Sequence, residues 1–172
     1  MNNKILEKNK LNQYYDGVNP FHKTTIGKPK KWLIDAAAVV GLDYSELFHE
    51  VTNHFKAHVK KRHGKGELAI TEKDFEKIPE IIRKPDLAII GIKRKGGIRN
   101  VYVKRDTELT YLYYDEMLNS NHNKALRGCT LFKIVKLLDM ENLERIVIMN
   151  ERTNLSSAIK IIAAGGHPGG EV

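Results

Sequence analysis

The chain has 172 residues, 41% hydrophobic and 29% charged, enough for one globular domain whose core needs neither disulfides nor a structural metal. The single cysteine, Cys129, excludes a disulfide framework and a cysteine-rich zinc site. The formal net charge of +8 favours a polyanionic partner, nucleic acid before an anionic membrane, with a solubilising surface as the plain alternative. No stretch approaches the about 18 consecutive apolar residues of a membrane span. The polar run Met1 to Lys10 predicts no signal peptide, so no membrane association is expected.

In chain order, residues 1–42 read as an extension that is irregular except for a short helix near Ile5 to Tyr15 and a helix over Lys31 to Val40 that Gly41 ends. Asp43 and Glu46 are spaced as a capping box, which predicts a helix from Tyr44 to about Arg62, closed by Gly64. Thr71 and Asp74 repeat that start signal before a helix limited by Pro79 and Pro85. The apolar run Leu87 to Ile92, then Ile98 to Lys104, Leu109 to Met117 and Thr130 to Lys136, have strand character. A hairpin turn is expected at Gly96-Gly97 and an exposed loop over Leu118 to Gly128. Met140 to Asn150 and Leu155 to Ala164 read as helices before a glycine-rich tail around His167. The expected fold is α+β: a four-stranded antiparallel meander with helices on one face. The core spans 43–136, and 137–172 forms a C-terminal helical appendage.

The segment from His54 to Gly64 carries the most chemistry. On a helical wheel Leu47, Phe48, Val51, Phe55 and Val59 form a stripe roughly 120° wide, and His58 and Arg62 fall inside it. A core-facing stripe that accepts a histidine and an arginine has two readings. Both side chains could be satisfied by nearby carbonyls or acids. Alternatively, the helix runs out of the core over a cleft, where His58, Arg62 and the neighbouring His63 and Lys61 meet a ligand. His54 and His58 could share a metal, but no acid stands between them as in His-Glu-x-x-His and no third ligand is evident. Histidines beside arginine, lysine and hydroxyl residues suit metal-independent cleavage of RNA. There the 2′-hydroxyl attacks its own phosphate, one group takes a proton, another gives one, and a cation holds the developing charge. Lys104, Tyr113 and Thr130 are strand candidates for the remaining roles, with ordinary strand packing as the competing reading for the last two.

The ordered run His58-x-x-x-x-His63-Gly64, Ile70-Thr-Glu-Lys-Asp-Phe75, Ile78-Pro-Glu-Ile-Ile82 and Pro85-Asp86 resembles the phage and polymorphic-toxin branch of the barnase/EndoU/colicin/RelE-like nucleases. The resemblance spans about Asp43 to Lys136. It implies a four-stranded antiparallel sheet and an endoribonuclease site, without metal or other cofactor, across the sheet and the histidine helix. By motif it assigns His58 and His63 as the catalytic histidines, Thr130 as the hydroxyl opening the last strand, and Lys104 as a basic strand residue. It also implies an RNA substrate such as tRNA, a cytoplasmic site of action reached by toxin delivery or phage infection, and a small acidic immunity protein as partner. Two competing functions remain: a non-catalytic nucleic-acid-binding or phage-morphogenesis protein, and a nucleotide-dependent group transferase, for which the chain shows no glycine-rich phosphate loop.

Overall fold

The computed structural model describes residues 22–135, 140–151 and 156–162. In chain order these form β1 (Lys23–Gly27), α1 (Lys31–Val39), β2 (Phe48–Thr52), α2 (Asn53–His63), α3 (Glu72–Glu76), α4 (Ile78–Arg83), β3 (Leu87–Arg94), β4 (Gly97–Arg105), β5 (Leu109–Asn119), β6 (Lys124–Val135), α5 (Met140–Glu151) and β7 (Ile159–Ile162). The expected helix at Ile5 to Tyr15 and the tail around His167 lie outside the described residues.

Strands β3 to β6 form the antiparallel meander that the sequence predicts. That meander is the centre of a larger mixed sheet of seven strands, ordered β1-β2-β6-β5-β4-β3-β7. β2 lies parallel to β6, β1 is antiparallel outside β2, and β7 is antiparallel outside β3. Strands from 1–42 and 137–172 thus join the same sheet as 43–136. The sheet is also covered on both faces, not one. Ala88, Ile90, Tyr102, Tyr111, Tyr113 and Leu131 point to the first face, under residues of α1 to α4 such as Trp32, Phe55, Val59 and Ile81. Leu87, Ile89, Ile92, Val101, Val103, Leu112 and Tyr114 point to the second, where Leu143 and Val147 of α5 cover them. Two-sided burial is why Leu87 to Ile92 is continuously apolar instead of alternating.

Two predicted helices are corrected. The stretch from Tyr44 to Arg62 is not one helix. Asp43 Oδ1 accepts from Ser45 N at 2.9 Å and Ser45 Oγ at 2.5 Å, which closes a turn rather than starting a helix. Phe48, His49 and Glu50 are then extended and pair with Ala125, Leu126 and Arg127. The helix begins after Thr52, whose hydroxyl accepts from Phe55 N at 3.1 Å as its N-cap. Within Leu155 to Ala164, Ile159-Lys-Ile-Ile162 is β7, its β-branched residues paired with Leu87 to Ile90 of β3. The expected loop over Leu118 to Gly128 shrinks to residues 120–123, because β5 runs to Asn119 and β6 starts at Lys124. Thr130 therefore stands in mid-strand. The β3–β4 turn is Lys95-Gly96, one residue earlier than expected, and Gly96 supplies its positive φ of 94°.

Candidate active site

Helix α2 is held by its N-terminal half. Phe55 and Val59, one turn apart, are buried on the first face, and the Phe55 ring meets Phe75 and Tyr113 edge-on at 6.0 Å each. Because β2 leaves the sheet at Thr52, α2 packs beside β6 where β2 no longer pairs with it. The last turn, Lys60 to His63, reaches the rim of the second face, where the His63 ring stacks on Phe132 at 5.4 Å and 28°. Four basic residues in that turn suit the negative end of the helix dipole. The exit is pinned as well: Ile70 N donates to the His63 carbonyl at 2.7 Å, and a Cβ on Gly64 would lie 2.2 Å from the Lys60 carbonyl oxygen. Only glycine lets the chain turn away there without moving His63.

Beyond this rim is a cleft of about 540 Å³. His58, Arg62 and His63 come from α2, Arg99 from β4, Tyr114 from β5, Cys129, Thr130 and Phe132 from β6, and Ile146 from α5. A β-bulge shapes its floor. Tyr114 pairs with Thr130 but Asp115 pairs with Gly128, so Cys129 is an extra residue in β6. Tyr114 and Phe132 stack at 6.0 Å and 21°, which extends the row of near-parallel rings begun by His63.

Among the described residues lining the cleft there is no carboxylate, and two are arginines. Burial lowers the His58 pKa, helped by the charges of Arg62, His54, Lys61 and Arg99. Burial also lowers that of His63, helped by His58 and Arg62. Both rings are thus held toward the neutral form near pH 7, beside guanidinium groups that stay charged. The Thr130 hydroxyl is buried in the wall and makes no hydrogen bond among the described residues. An orphaned buried hydroxyl costs about 1–3 kcal/mol, a deficit that a bound oxygen would remove. Neutral imidazoles, fixed positive charge and an unused hydroxyl can together bind a phosphate and move protons around it.

The structure brings His58, Arg62, His63 and Thr130 into one cleft. It does not bring the other sequence candidates there. Lys104 lies cross-strand from Tyr111, in a separate hollow with Lys77 and Asp106, and its Nζ donates to the Lys84 carbonyl at 2.7 Å. Tyr113 is wholly buried on the first face among Phe55 and Tyr102, and burial pushes its phenol well above the usual range. Lys61 and His54 sit on the exposed side of α2. Among the described residues no three His, Cys, Asp or Glu side chains converge as a metal site would require. Sequence reasoning missed Arg99, Tyr114, Cys129 and Phe132. For Arg99 a signal existed: it stands in period-two phase with the buried Val101 and Val103, a charge within an apolar face.

The α+β sheet carries a cleft lined by arginines and histidines and, among the described residues, by no carboxylate, a lining chemically suited to an anion and to proton exchange. No helix among the described residues is long and apolar enough to cross a membrane. The chain belongs to the phage-Barnase-EndoU-ColicinE5/D-RelE like nuclease3 family, whose model matches residues 27–139. It is therefore a member of a nuclease family, with nucleic acid as the substrate that family membership implies. Comparison with curated proteins and with solved structures gives no match.

Proposed function

We propose that this nuclease family member is a metal-independent endoribonuclease that cuts by attack of the 2′-hydroxyl on the adjacent phosphate. One imidazole of the pair His58 and His63 takes the 2′-hydroxyl proton while the new O–P bond forms. The other, protonated, donates to the departing 5′-oxygen as its bond to phosphorus breaks, leaving a 2′,3′-cyclic phosphate. Arg62 and Arg99 balance the charge on the phosphorane, and Thr130 donates its hydroxyl to a phosphate oxygen. The observation that carries this reading is the convergence of both histidines with Arg62, Arg99 and the unpartnered Thr130 hydroxyl in one carboxylate-free cleft. The guanidinium groups supply the positive charge that a metal would otherwise bring. Lys104 and Tyr113 have no part in it, because they lie elsewhere.

The test is incubation of purified protein with total RNA, tRNA included, in excess EDTA. Cleavage with cyclic-phosphate ends is expected, and His58→Ala or His63→Ala should each slow it about 10²- to 10⁴-fold. Cleavage that stops with EDTA, or survives both substitutions, overturns the mechanism. Salt-sensitive RNA binding without any product would point instead to a binding protein.

A further inference from the structure

We propose that the β3–β4 hairpin is a docking arm for single-stranded nucleic acid, so that the substrate is a polynucleotide reaching well beyond the cleft. This deepens the nuclease reading and rests on it for the identity of the cleft. From Leu87 to Arg105 the hairpin carries Lys93, Arg94, Lys95, Arg99, Lys104 and Arg105, and no aspartate or glutamate. Four of these six cluster toward the tip, which the tight Lys95-Gly96 turn closes.

The tip is continuous with the cleft. Arg99, which lines the cleft, pairs with Ile92, and two residues outward Arg94 pairs with Gly97 on the same face of the sheet. A strand leaving the cleft past Arg99 thus meets Arg94 about 7 Å further on and then Lys95. Glu116 lies cross-strand from Arg99 and offsets one charge, so the arm stays net positive. Lys95 is exposed at the tip, and no ion pair among the described residues takes it; Lys93, between Ile92 and Arg94, alternates to the opposite face of the sheet. Arg94 and Lys95, on a stiff hairpin beside the proposed phosphate-binding cleft, are placed for further phosphates of the same chain. Attack by the 2′-hydroxyl in line with the departing 5′-oxygen needs a backbone free to leave duplex geometry, which favours a single strand over a duplex.

The experiment measures equilibrium binding of a long, uncleavable 2′-O-methyl RNA oligomer and of a dinucleotide of the same chemistry across a salt series. Wild type is compared with Arg94→Gln/Lys95→Gln, with a thermal melt to verify folding. For the oligomer, the slope of log affinity against log salt should shrink by about 1.4, at about 0.7 for each of two lost phosphate contacts, with affinity weakened several-fold at low salt. Dinucleotide affinity should not change. An unchanged oligomer slope overturns the proposal, as does equal weakening of the dinucleotide. Unchanged oligomer binding with lost binding to polyglutamate would also overturn it and assign the arm to an acidic protein. If wild type cleaves no RNA while the hairpin-dependent slope persists, the nuclease chemistry fails and the docking arm stands.

Discussion

Replacing Arg62 by glutamine tests the site's electrostatics twice in one variant. Arg62 is exposed on the last turn of α2, so the fold loses at most its favourable term at the helix C-terminus, about 0.3–1 kcal/mol. Its catalytic loss should be larger. A charge-assisted bond to a phosphate oxygen is worth about 1.5–3 kcal/mol, which corresponds to a fall of about 10- to 160-fold in kcat/KM. Its second effect is on pH. Arg62 is among the charges that lower both His58 and His63, so its removal lets both pKa values rise. The bell of kcat/KM against pH should therefore move toward higher pH in Arg62→Gln. Arg62→Lys keeps the charge but not the planar fork, so it should hold the wild-type profile at a reduced rate. Steady-state cleavage of a fluorogenic RNA across a pH series reads both effects. An unchanged kcat/KM, or a bell that stays in place or moves to lower pH, would refute the assignment of Arg62 to the phosphate and the histidine pair.

Wild-type kcat/KM should peak below pH 6.5, because both histidines sit below that ordinary value; a peak above it would remove the pair from the acid and base roles. Thr52→Ala deletes the N-cap of the histidine helix and should lower stability by about 1 kcal/mol in a urea melt. The buried Asp74 accepts from Tyr111 at 2.8 Å, Thr71 N at 2.7 Å and Lys133 at 2.9 Å, so Asp74→Ala should cost about 3–5 kcal/mol by stranding those donors. Burial raises the Asp74 pKa, but the Thr71, Lys133 and Tyr111 interactions outweigh it and hold it below the ordinary 3.8. Its contribution is therefore fully present above the unfolded value and lost as pH falls through the lower folded value. Acid unfolding of wild type should steepen there, and that component should be missing from Asp74→Ala.

Local signals explain which elements were legible. Helix α1 and strands β3 to β5 begin and end near where pattern, glycine and proline place them, since their residues carry the period of the element they adopt. Helix α5 starts at Met140 as its spacing implies. Strand β2 was hidden because Asp43 and Thr52 are both competent caps, and Leu47, Phe48 and Val51 suit a helical stripe as readily as a strand between two neighbours. Its extended form depends on pairing Phe48 with Ala125, a contact far away in sequence. The same holds for β7, which is a strand because β3 offers it an edge.

The sequence by itself determined the nuclease motifs, the antiparallel centre of the sheet and the row His58, Arg62, His63 on one helix, because each rests on short-range spacing. Tertiary structure decided which residues answer that row. The bulge at Cys129 sets the phase in which β6 brings Thr130 and Phe132 to the cleft, α5 closes the second face, and the alternation of β4 and β5 puts Arg99 and Tyr114 there while Tyr113 and Lys104 lie elsewhere. Side chains on a strand alternate, so a single-residue change in phase decides whether a tyrosine lines a site or fills a core.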